Sequence, residues 1–271
     1  MPTTTVTTWQ QLLDAYVMQQ GTSEDPHIIE IMADLNGNDA PMTAGISSGT
    51  GTTGYHKIIN GNYHNIDRIN TGSVVNAVLF QGRYVTWNKC NFTNMFRNEQ
   101  YAFFGGSYTN YTQYFYDCTF QGKGYGLAAA GTFTRCVIGS WESSRTASGI
   151  FGTSDFVTCF INANYKRDAT QNYDYHSLIN CFVKGTIEPA STSQTSGWHI
   201  VGNVCNTCLN IETPLNYTDG ISGASAQSII NAYNTDKMTG TIGAKSNMIG
   251  VTDVQMKDAA YLASIGLNII V

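Results

Sequence analysis

Charge is what this chain has least of: only 12% of its 271 residues are Asp, Glu, Lys or Arg, about half of the ~25% usual in soluble domains. The 14 Lys and Arg are scattered without a basic run, and the formal net charge is −5. Nothing therefore gathers positive charge against a phosphate backbone, and nucleic acid is not an expected partner. No stretch approaches ~18 consecutive apolar residues, so no membrane-spanning helix is expected. Met1 to Val6 lacks the charged and apolar regions of a secretory signal. Between Gly21 and Gly250 there are no long Ala-, Leu-, Glu- and Lys-rich amphipathic runs, which argues against a helical array.

What is present is neutral polarity and enough apolar surface for a core. The chain carries 24 Asn and 32 Thr, with 42% apolar and 12% aromatic residues, a composition that disfavours disorder. Its seven cysteines are odd in number and too sparse for a disulfide scaffold, so reduced thiols made in a cytoplasm are expected. Their spacing is the strongest signal. Cys90, Cys118, Cys136, Cys159, Cys181 and Cys205 recur at intervals of roughly 20–30 residues, a near-period of the size that marks a stacked repeat.

The local context recurs as well. Cys90-Asn91-Phe92, Cys118-Thr119-Phe120, Cys136-Val137-Ile138, Cys159-Phe160-Ile161 and Cys181-Phe182-Val183 all read Cys-x-apolar, and in a strand residues i and i+2 share a face. Between them lie Gly-, Asn-, Thr- and Ser-rich turns. The pattern predicts an all-β fold, a right-handed parallel β-helix with coils of roughly 22 residues stacked ~4.8 Å apart. The six cysteines would form a buried column. Cys205-x-x-Cys208 also admits a zinc reading, with no second pair to complete it.

The ends differ from the middle. Thr8-Trp9-Gln10-Gln11 is a capping box, and Trp9, Leu12, Leu13, Tyr16 and Val17 recur at helical spacing before Gly21. Residues 1–26 are thus expected to be a capping helix and entry, 27–225 the β-helix, and 226–271 a C-terminal attachment segment. A second box at Thr252-Asp253-Val254-Gln255 predicts a short helix through Met256 to Leu262.

Thr7-Thr8-Trp9-Gln10-Gln11-Leu12-Leu13, Ile29-Glu30-Ile31-Met32-Ala33-Asp34-Leu35 and Ile59-Asn60-Gly61-Asn62-Tyr63 resemble the entry of pectin-lyase-like β-helix proteins carried by tailed bacteriophages. Leu262-Ala263-Ser264-Ile265-Gly266-Leu267 is similar to the endings of such virion proteins, with Leu267 where Phe is more usual. The resemblance covers the two ends. It implies a head-fibre, tail or spike component, synthesised in the host bacterial cytoplasm and residing in the virion, and the function expected is that of a non-enzymatic head fibre, decoration or tail-associated protein. Other virion proteins, host-surface glycans and two further copies in a trimer are the partners it implies.

The same fold hosts polysaccharide lyases and hydrolases, whose chemistry needs paired carboxylates. No Asp-Asp or Asn-x-Asp element recurs at coil spacing on the expected strands, and Asp117, Glu142 and Asp155 are the fallback candidates for catalysis. The five histidines show no metal spacing, and neither cofactor nor metal is expected. Aromatic side chains crowd the stretch from Tyr101 to Tyr125, in greater number than one interior column accepts. Strict alternation turns Phe115 outward, which makes it, with Tyr261 and Leu262, a candidate for subunit packing or glycan contact.

Overall fold

The computed structural model describes residues 1–49, 54–69, 78–96, 102–105, 113–124, 127–128, 130–143, 153–157, 159–162, 165–166, 176–179, 181–188, 198–201, 203–208, 238–240, 248–250, 258–264 and 267–269. They form a parallel β-solenoid. A first sheet of nine strands runs from Thr3–Val6 through His27–Ile31, Lys57–Asn60, Val85–Asn88 and Gln113–Tyr116 to Trp198–Val201, each paired in parallel with the next. A second sheet of ten strands runs from Leu35–Asn36 to Met248–Gly250. A third, of three short strands, closes part of the remaining side with Ile46–Ser47, Phe80–Gln81 and Phe104–Gly105.

Register explains the core. In the first sheet Ile29, Ile59, Trp87, Phe115, Phe133 and Phe156 occupy one column, and in the second Leu35, Ile66, Phe92, Phe120, Ile138 and Ile161 occupy another. All are buried. The rings stack in register, Phe115 on Phe133 at 4.6 Å and Phe133 on Phe156 at 4.7 Å, within 7° of parallel. Across the interior, Phe115 and Phe133 meet Phe120 edge to face, each at 5.5 Å. From Trp87 to Phe156 the first-sheet column is an aromatic stack, in which Phe115 and Phe133 each have a ring above, a ring below and Phe120 from the facing sheet.

Phe115 is therefore corrected from an outward interface residue to a fully buried core residue. The reason lies at the corner joining the two sheets. Lys89, Asp117 and Arg135, each just before a column cysteine, take φ of 53°, 54° and 52°. A single left-handed residue turns the chain without spending a strand step, so Phe115 before the corner and both Cys118 and Phe120 after it point inward. Tyr114 and Tyr116 are the half-buried, outward residues of that coil.

Cys90, Cys118, Cys136, Cys159 and Cys181 are free, buried thiols at this corner. Cys118 donates towards the carbonyls of Tyr116 and Trp87, Cys136 towards those of Thr134 and Phe115, and Cys159 towards those of Val157 and Phe133. Each thiol thus serves corner carbonyls of its own coil and the coil before. Burial pushes the Cys118 and Cys136 thiols well up, which keeps them neutral donors.

Cys205 is not the sixth member. It pairs with Val183 and so continues the register of Ile138 and Ile161. The step from Val183 to its partner Cys205 is one coil, and the step from Cys181 to Cys205 overshoots that coil by two positions. The overshoot moves the cysteine two register positions along the strand, and Asn203 takes the place after Cys181.

The N-terminus also departs from expectation. Thr3–Val6, a β-branched run read as part of an entry segment, is the first strand of the nine-stranded sheet, pairing with His27–Ile31. Helix α1 (Trp9–Val17) follows it, with the Thr8–Gln11 capping box formed as expected. Trp9, Leu12, Ala15 and Tyr16 are buried, and the rings of Trp9 and Tyr16 lie 6.0 and 5.2 Å from that of Phe80. The helix lines the interior of several coils instead of sitting on the open end of one. At the other end a helix α2 (Ala259–Ser264) is capped by Asp258, whose Oδ1 accepts from the amides of Ala260 and Tyr261. The Thr252–Gln255 box lies outside the described residues.

One buried polar network pins α1 in place. Trp87 Nε1 donates to Gln113 Oε1 at 2.8 Å, Gln113 Nε2 donates to Phe80 O at 2.7 Å and to the Tyr16 hydroxyl at 3.3 Å, and that hydroxyl donates to Gln81 O at 3.1 Å. Gln113→Leu is expected to destabilise by roughly 1–3 kcal/mol, because the indole N–H and a strand carbonyl lose their partners in the dry interior. Urea denaturation of the variant measures this, and an unchanged midpoint would show that the network contributes nothing.

Candidate functional site

The outer face of the second sheet repeats a polar–apolar–polar triplet: Asp34-Leu35-Asn36, Asn65-Ile66-Asp67, Asn91-Phe92-Thr93 and Thr119-Phe120-Gln121. The apolar centre of each points into the core, so the flanking residues point out. They line a shallow groove of about 490 Å³ on the first coils, bounded by Asp34, Asn36, Asn65, Asp67, Thr93 and Asn94 among others. At its far edge Arg68 and Asn94 adopt φ of 54° and 49°, which swings the chain to the next side and turns the Asn94 amide back onto Asp67.

The two carboxylates are tightly held. Asp67 Oδ1 accepts from Thr93 Oγ1 at 2.8 Å and Asn94 Nδ2 at 2.6 Å, and Arg68 Nε lies 3.4 Å from Oδ2. Asp34 Oδ1 accepts from the Asn65 amide at 2.9 Å and lies 3.2 Å from His64 Nδ1, while Oδ2 accepts from Asn65 Nδ2 at 3.3 Å. The Asn65 backbone N–H above all, with His64, lowers the Asp34 carboxyl below its ordinary range, because these bonds favour the ionised form. A neighbouring ladder joins Asn88 to Asn60 and Asn60 to Glu30 at 3.1 and 2.7 Å on the first sheet.

Fixed amide donors, hydroxyls and carboxyl acceptors in a shallow open groove suit a neutral polyhydroxylated ligand. Such a ligand offers hydroxyls that both donate and accept. A proton-transfer site needs the opposite at one position, a carboxyl raised towards neutrality, and Asp34 is moved the other way.

The structure does not bring the three fallback acids together. Asp117 forms a two-pronged ion pair with Arg135 of the next coil, both bonds 2.7 Å, and is shielded by it. Asp155 is half-buried on the outer side of the first sheet, paired with Thr132. Glu142 belongs to a second-sheet strand, paired with Lys123. Tyr261 is half-buried on α2, which also carries Leu262. The sequence reading missed Asp34 and Asp67, although the triplet repeat was there to find them.

Among the described residues no group of three or more His, Cys, Asp or Glu is arranged to hold a metal ion, and no helix is long and apolar enough to cross a membrane. No protein-family model matches the chain, and no curated protein matches it.

Proposed function

We propose that the chain is a non-catalytic structural and adsorption component of a phage particle, a head fibre, decoration or tail-associated protein, that offers its amide-lined groove to host-surface glycans. The observation that carries the glycan reading is the fixed hydrogen-bonding set of Asp34, Asn65, Asp67, Thr93 and Asn94, with the Asp34 carboxyl held ionised. The virion assignment is supported by the resemblance at the two ends of the chain. A homotrimer is part of the proposal. Ile28, Ile58, Thr86, Tyr114 and Thr132 form an outward, partly buried column on the first sheet that continues to Asp155, and its uncharged part before Asp155 suits a flat face between like subunits.

The alternative is a polysaccharide lyase or hydrolase. It is favoured by one feature: Asp34 and Asp67 stand diagonally on adjacent coils, about 8 Å apart between α-carbons from the coil and residue spacings of a parallel sheet. Inverting glycosidases likewise hold two carboxyls apart, with room between them for the sugar and a water.

One experiment separates the two. The purified protein is incubated with host-envelope polysaccharide, and both retention and chain length are followed. Binding without new reducing ends or unsaturated products is expected, reduced at least tenfold in the Asp67→Ala variant. Release of shortened product would establish the enzyme reading, and retention equal in the variant would remove the groove. Light scattering should give the mass of three chains, and a stable monomer that does not bind particles lacking it would remove the structural reading.

A further inference from the structure

The interior of the first coils holds a charge that no acid among the described residues pairs with. Lys57, on the strand Lys57–Asn60, is fully buried. Its Nζ donates to Met18 O at 2.8 Å and Ala15 O at 3.5 Å, carbonyls at the C-terminal end of α1, and to His27 Nδ1 at 3.4 Å. A helix C-terminus suits a cation, because its free carbonyls carry partial negative charge. His27 is equally buried on the adjacent strand, with Nε2 2.8 Å from Thr4 Oγ1 and 3.3 Å from Gln20 Nε2. Accepting from an ammonium at Nδ1 requires the Nε2–H tautomer.

Among the described residues no carboxylate bonds either group. Asp25 holds the Met1 amino group at 2.9 Å, and Glu24 accepts from Ser23 and faces His56. From α1 comes the Tyr16 phenol, kept neutral by burial, and the Tyr84 carbonyl accepts from the Lys57 backbone amide. Residues 18–26, which connect α1 to His27, are fastened through His56: its amide donates to Gly21 O at 3.3 Å, and its carbonyl accepts from the His27 amide at 3.0 Å. Gly21 has a φ of 104°, and a Cβ there would stand 2.2 Å from His56 O, so only glycine allows this approach.

We propose that residues 18–26 form an acid-released strap: a proton on His27 Nδ1 sets a second cation against Lys57 in a site where no described residue supplies an anion, and the strap lifts to admit water to both. This goes beyond any role of the groove and does not depend on it. Burial first, and the Lys57 charge second, bring His27 down to about 4, and burial brings Lys57 down to about 8. With its closed-state value below the ordinary 6.5, His27 contributes its full stabilisation above that pH and loses it as pH falls through about 4. Lys57 stays protonated across this window, so the incoming proton always meets a cation.

Hydrogen exchange tests this at the His27 and His56 amides between pH 7 and 3.5, corrected for intrinsic rates, with residues 113–137 as internal reference. Opening of the strap should become on the order of a hundredfold more frequent at the acid end, with the reference unchanged. His27→Gln, whose side-chain oxygen accepts from Lys57 at every pH, should show no such transition, and Asp25→Asn should retain it. Equal wild-type protection at both pH values, simultaneous loss of protection at 113–137, the same transition in His27→Gln, or its disappearance in Asp25→Asn would each overturn the proposal. If His27→Gln does not fold, the wild-type comparison of strap with core decides.

Discussion

Replacing Phe133 by alanine is expected to lower stability by about 3–5 kcal/mol, the largest effect of any single side chain considered. Its ring has Phe115 on one face, Phe156 on the other and Phe120 against its edge. Removal therefore breaks three aromatic contacts at once. The chain segment from Phe115 to its partner Phe133 is the shortest between successive first-sheet rings, and it leaves little slack for neighbours to close the void. Guanidinium denaturation followed by circular dichroism measures the change. A loss below about 1 kcal/mol would mean that the stack relaxes into the cavity and that the rings act independently. Combined with Phe115→Ala, the loss should fall short of the sum of the two single losses, because the rings share one contact.

Deleting residues 1–20 should have a still larger effect, yielding soluble aggregates or insoluble protein. The deletion strips the first strand from the nine-stranded sheet and exposes the edge of His27–Ile31, an adhesive row of unpaired backbone groups. It also removes the buried side chains Trp9, Leu12, Ala15 and Tyr16, each large one worth roughly 1.5–3 kcal/mol of burial. Phe80 and Trp87 lose their cover, and Lys57 loses the helix carbonyls that accept its protons. Size-exclusion chromatography and a thermal scan of the truncated chain decide the point. A monomer as heat-stable as the full chain would show that α1 is dispensable.

Much of the architecture was legible in the cysteine spacing, because a solenoid whose coils stay in register must repeat its inward residues. The orientation of Phe115 was not. Alternation holds only within a strand, and the left-handed residue at Asp117 resets it; Asp at that position carries no unambiguous mark of the turn. Cys205 misled for a related reason, since a residue-type repeat and a coil repeat part company where the interval is two positions too long. Thr3–Val6 is too short to announce itself as a strand, and its partner lies beyond the helix that follows. In the groove the apolar centres of the triplets were read for the core, and their polar flanks, which carry the hydrogen-bonding chemistry, were not. Asp117 drew notice as an isolated acid, although its partner Arg135 stands one coil away at the equivalent corner.

The spacing of the coils separates what is fixed in this molecule from what is free to vary. The coil from Ile29 to Ile59 is much the longer and that from Phe115 to Phe133 much the shorter, yet the inward column continues unbroken through both. The difference falls between the end of a second-sheet strand and the next first-sheet strand: the strand ending at Gly124 is soon followed by the one beginning at Ala130, whereas the strand ending at Asn36 is followed on that sheet only by the one beginning at Lys57. A segment grafted into the short return should therefore leave the stack above and below it undisturbed. The molecule is in this sense a ruler with interchangeable attachments, on which the coil number fixes how far along the axis any grafted loop is carried.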